Sequence, residues 1–215
     1  MVALNFNMLG FAYQQGVNWL EAGFATAAGA LREQIAKRRA DLQAYTDHVA
    51  AGGERVGELE EGLTLWEQDD ILTMHIEDAE ESLMDLRKAY VLAAYHHWER
   101  SARRWTRSSL HAKHSSLASA TEALGYPMNG RMSGLYNLVN TLKHNSAKWA
   151  ADLSSTWPEV LNGAQRSRPD QDWYAAVELS DDHVHQVCDI LRTSGPDAER
   201  LPRSAEGDTP GEAPA

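Results

Sequence analysis

The stretch Leu72 to His97, LTMHIEDAEESLMDLRKAYVLAAYHH, decides how the chain is read. Leu72, Ile76, Ala79, Leu83, Leu86, Tyr90 and Ala93 are spaced alternately by four and three residues, and His97 takes the next place. That period lays one stripe along one face of a helix. Upstream, Phe24, Ala28, Leu31, Ile35, Arg38, Leu42, Tyr45 and Val49 repeat it, with Arg38 the only polar member. Gly52 and Gly53 end that first helix, because glycine is costly inside one. The spacing predicts two long helices packed as an antiparallel pair; the alternative is that a stripe buries against a second copy of the chain. A shorter apolar set, Val56, Leu59, Leu63 and Trp66, lies between them, and Asp69 or Asp70 is expected to cap the second helix.

Working outward, a third helix is expected over Ser115 to Leu124, stopped by Gly125, Pro127 and the turn pair Asn129-Gly130. A fourth carries Leu135, Leu138, Val139 and Leu142. Trp149 and Leu153 mark a short helix ahead of Pro158, and Leu161 to Asp172 reads as loop. A last helix starts at Ser180, buries Val184, Val187, Cys188 and Leu191, and stops at Ser194-Gly195-Pro196. No strand is expected; Trp173 to Leu179 has some strand propensity but is short and isolated. The fold class is therefore all-α: a helical bundle over residues 71–195, with a long N-terminal antiparallel helical extension over residues 1–70. The segment 196–215 holds four of the chain's seven prolines and few apolar residues, the composition of a disordered tail.

Across 215 residues the net charge is −11, which argues against a globally basic nucleic-acid binder. The distribution is uneven. Glu54 to Asp85 holds twelve acids and one base, while His96 to His114 holds four arginines, one lysine, four histidines and one acid, Glu99. The basic run is either a solvated face or a local anion site on an acidic protein. Cys188, the one cysteine, is expected to be inert and buried, and no intrachain disulfide can form. The apolar run Gly10 to Leu31 is broken by Gln14, Gln15, Asn18 and Glu21, so no membrane span is expected. With no basic n-region either, a cytoplasmic protein is expected.

Two helix flanks could carry chemistry. Beyond Ala93 the second stripe turns polar, through His97 to Arg104, beside an apolar flank of Val91, Trp98, Ala102 and Trp105. On the fourth helix Asn137, Asn140, Thr141, His144 and Lys148 adjoin one another opposite Leu135, Leu138 and Leu142. Amides, imidazole and ammonium on one stripe suit phosphate binding or acid–base work, and suit a solvated surface equally. His96, His97, Glu99, His111 and His114 lie close in sequence without the spacing of a zinc helix, so no metal is expected. No cofactor fingerprint is present.

The segments AYHHWERSARRW (Ala94 to Trp105) and LVNTLKHNSAKWAADL (Leu138 to Leu153), with the closing LSDDHVHQVCDILRTSGP, resemble the HEPN superfamily of helical proteins over roughly Asp85 to Pro196. The resemblance implies an α-helical bundle, usually a homodimer. Its two-fold cleft, in active members, is a metal-independent endoribonuclease of toxin or phage-defence systems. It makes His144, Asn140, Glu99 and Arg104 the candidate catalytic residues, with His97, Asn137, Lys143 and Lys148 as substrate-binding partners. The arginine of the family signature falls on Val139, which can neither donate a hydrogen bond nor stabilise a phosphorane charge. Lys143, Lys148 or Arg104 could replace it. Arg107 with His114, or Arg104 with His111, also satisfies the loose arginine-to-histidine spacing. A third reading is a non-catalytic, dimeric module that binds RNA, nucleotide or protein.

Overall fold

The structure, a computed structural model, describes residues 6–60, 63–162 and 171–199. Helix α1 (Met8–Ala50) and helix α2 (Gln68–Thr106) form the long pair. They run antiparallel: the Tyr13 ring stacks on His97, Phe24 meets Tyr90, and Arg39 pairs with Glu80. Phe24, Ala28 and Ile35 bury against Ile76, Ala79 and Leu83, so both stripes are satisfied within one chain over this stretch. Toward the loop end the stripe thins to half-buried Leu42, Tyr45 and Val49. Asn7 caps α1, its side chain accepting from the Leu9 and Gly10 amides at 3.1 Å each.

The connection between the long helices differs from expectation. Gly57–Glu60 (β1) and Leu63–Glu67 (β2) pair as an antiparallel hairpin with a bulge between Glu58 and Leu59. The four-three spacing of Val56, Leu59, Leu63 and Trp66 hid a second period. Glu58, Leu59 and Glu60 alternate in polarity, as do Leu63, Thr64 and Leu65, and alternation is the strand signal. Nor do Asp69 and Asp70 cap α2: they sit in its first turn, and the cap position falls on Glu67 without a side-chain cap bond.

The bundle follows: α3 (His114–Ala123), α4 (Met132–His144), α5 (Ala147–Thr156), a 3₁₀ turn at Pro158–Val160, α6 (Trp173–Ala176) and α7 (Asp181–Arg192). The expected loop begins with Leu161 bridged to Val177; residues 163–170 lie outside the described residues. Trp173 to Leu179 contributes that bridge and a helical turn instead of a strand. Asn145 takes the left-handed conformation that ends α4 (φ 46°), and its side chain accepts from the Trp173 and Tyr174 amides. Ser180 caps α7 in a reciprocal box with His183.

Helix α7 is fixed by side chains far away in sequence. The carbonyls of its last turn would be orphans. Tyr13 Oη donates to Leu191 O at 2.6 Å, Gln14 Nε2 to Arg192 O at 3.0 Å, and Trp98 Nε1 to Ser194 O at 2.7 Å. The ion pairs of Glu21 with Arg192 and His185, and of Arg32 and Arg87 with Asp181, tie the same helix to α1 and α2. The chain then continues back along α1: Pro196 is buried, and Asn7 N donates to Ala198 O at 2.8 Å. The rest of the expected disordered tail, residues 200–215, lies outside the described residues. Cys188 is buried as expected, with burial pushing its thiol up to about 11. Among the described residues no helix is long and apolar enough to cross a membrane.

Candidate functional site

The eight residues expected to form the site fall in three places. His97 faces α1: its ring stacks on Tyr13 with centroids 5.3 Å apart, and its Nε2 lies 3.0 Å from Tyr13 O. The close approach depends on Gly16, where a methyl group would fall inside the His97 ring. Arg104, seven residues on, shares that stripe of α2 and is exposed. Glu99 lies 200° around the helix from His97 and is bound to Arg103 at 2.9 Å. Asn140 is buried, yet its amide donates to Tyr136 O at 2.8 Å, back onto its own helix. Asn137 Nδ2 donates to Thr156 Oγ1 at 3.2 Å, and Lys148 pairs with Asp152 on α5. His144 and Lys143 are exposed at the end of α4. Within one chain, His97 and Glu99 do not face a common cleft. Helix rotation sends His97 and Glu99 to opposite sides, and both amides are spent on structural bonds.

A different constellation does converge, between the Glu99 side of α2 and the Tyr136 side of α4, with His114 between them. Tyr95 Oη lies 2.9 Å from His114 Nδ1. The His114 ring stacks on Tyr136, with centroids 4.2 Å apart and planes 11° from parallel, and it tilts against Trp98 at 5.3 Å. Tyr136 in turn meets Trp149 edge-on at 5.4 Å, and Lys148 Nζ sits 4.1 Å over the Trp149 ring. The result is a line of half-buried rings, His114, Tyr136 and Trp149, with buried Tyr95 and Trp98 beneath.

Cations border this line. His96, Arg100 and Arg103 recur on one flank of α2 at helical spacing, and Lys143 lies two turns beyond Tyr136 on α4. Burial first, and Lys143, Arg100 and Arg103 besides, hold the His96 imidazole below its ordinary range, which places these groups around one spot. Arg103 Nε is buried with no hydrogen-bond partner. Arg100, Arg107, Lys113 and Lys143 are exposed and make no ion pair among the described residues. Burial pushes His114 down to about 4, so it is neutral at physiological pH. Burial raises the Tyr95 phenol. One hydrogen bond therefore joins two neutral groups, the Tyr95 hydroxyl and the His114 imidazole.

The arrangement suits recognition: flat rings offer stacking surface and the arginine and lysine groups offer charge to anions. Among the described residues no group of three or more histidine, cysteine or acidic side chains is placed to hold a metal ion. Clefts at the far end of the long pair, one of about 260 Å³ beside Arg38 and His75, contain none of the eight expected residues. The sequence offers His96 as a metal candidate and His114 as a metal candidate or as the partner of Arg107 in a loose arginine-to-histidine pair, and it does not single out Tyr136 or Arg103. The available signal was Tyr136, Asn140 and Lys143 at four- and three-residue steps on one flank.

No family model matches this chain, and neither a curated protein nor a solved structure matches it.

Proposed function

We propose that this chain is a non-catalytic helical module that binds single-stranded RNA. One observation carries the reading: on a protein of net charge −11, Arg100, Lys113 and Lys143, exposed and without an ion pair among the described residues, border a line of half-buried rings. Phosphates would lie along the cations and bases would stack on the exposed ring surfaces, which is how single strands are held without a sequence code. The reading keeps the RNA-related expectation of the HEPN resemblance and leaves out cleavage, because its expected catalytic groups are dispersed and its arginine position is Val139.

The test is anisotropy of a labelled single-stranded oligoribonucleotide at several salt concentrations. Binding should weaken with salt, and Lys143→Ala should lower the slope of log K against log salt by about 0.7, one phosphate contact on a single strand. Tyr136→Ala should cost about 1–3 kcal/mol of binding at fixed salt, the worth of one stacked base. No saturable binding at low salt would end the reading. RNA cleavage that persists in chelator and disappears in His144→Ala would replace it with the endoribonuclease.

A further inference from the structure

Helix α1 presents a second face that the described residues leave bare. From Met1 to Leu31 the only charged residue is Glu21, and Glu21 is turned inward to Arg192 and His185. Outward, Met8, Phe11 and Trp19 stand 65%, 46% and 70% exposed, with Gln15 between them and the small residues Ala22 and Ala25 beyond. These positions recur by three and four over about 25 Å of helix. With neighbouring Phe6 and Leu9, the large side chains leave on the order of 500 Å² uncovered, toward the upper end of the ~300–600 Å² of a typical monomer's largest patch, where such patches are often functional, and most of the ~800 Å² per partner that a stable interface buries.

We infer that this face of α1 is a homodimer interface, in which two α1 helices pack antiparallel about a two-fold axis lying between Gln15 and Trp19. Three features select a second copy as the occupant. First, the face carries no charge of either sign, so like meets like without repulsion. Second, it is self-complementary in shape. Its N-terminal half is bulky and its C-terminal half is small, so reversal about that axis sets Met8 and Phe11 of one chain onto Ala22 and Ala25 of the other. Gln15 then meets Trp19, amide against indole. Third, other coverings fit poorly. Residues 200–215 contain a single large apolar residue, Leu201, among charges and prolines. A bilayer-surface helix needs basic residues flanking its apolar face, and none occurs before Arg32.

The experiment is the mass of the full chain by light scattering across micromolar concentrations, with circular dichroism to check that each variant keeps its helix content. Wild type should show twice the chain mass. Trp19→Glu, which places a carboxylate twice beside the axis, should raise the dimer dissociation constant at least ~100-fold. Gln15→Lys mixed with Trp19→Glu should recover the dimer, because the lysine of one chain faces the glutamate of the other in this register alone. A monomeric wild type, a Trp19→Glu variant of unchanged mass, or a mixture that stays monomeric would each overturn the inference. Neutral-vesicle binding by a wild type that never dimerises would overturn it in favour of a membrane.

Discussion

His114 should make folding stability depend on pH below neutrality. Its folded-state value is about 4, against about 6.5 for an unperturbed histidine. Between these values the unfolded chain binds a proton that the folded chain refuses. Stability is then complete above about 6.5 and is lost as the pH falls toward 4, with a limiting slope of about 1.4 kcal/mol per pH unit. The full window corresponds to roughly 3 kcal/mol, and partial solvent access reduces this to about 2. His183 and His96, also held low by burial, add to the same trend, so a comparison is needed. The double variant Tyr95→Phe/His114→Phe removes the titrating group and its hydroxyl partner together and retains ring stacking on Tyr136. Urea unfolding at steps from pH 7 to pH 4 should show wild type losing about 2 kcal/mol more than the double variant across that range. Parallel curves would refute the account, because they would mean that His114 titrates alike in both states.

Two further substitutions probe how the long helices hold the bundle. Trp98→Phe removes the indole N–H from Ser194 O at a fully buried site and leaves space beside it, so it should cost about 2–4 kcal/mol in chemical denaturation. Gly16→Val should displace the His97 ring from Tyr13, lowering stability by about 1–3 kcal/mol and moving the His97 imidazole resonances; unmoved resonances would contradict the packing.

Much of the fold was legible because helices announce themselves locally. The stripes of α1 and α2, the glycine stop at Gly52-Gly53 and the Ser180 start each depend on neighbours within a turn or two. The hairpin was missed because Leu59, Leu63 and Trp66 fit a helical spacing, and the alternation of Leu63, Thr64 and Leu65 is too short to outweigh it. The arrangement around the candidate site was less legible for a related reason. His97 and Glu99 are two residues apart, and treating the Ala94 to Trp105 motif as one flank overlooked that such neighbours point almost oppositely on a helix.

The sequence by itself determined that long amphipathic helices exist, that the first stops at Gly52-Gly53, and that the basic groups cluster after Tyr95. Only the tertiary structure decided which of those groups meet. Tyr13 reaches Leu191 across 178 residues, Tyr95 finds His114 on a separate helix, and Asn140 turns back to its own backbone. Spacing fixes the angle of a side chain around its helix axis. What lies at that angle depends on how the helices are rotated and packed, and that is settled by burial summed over the whole core.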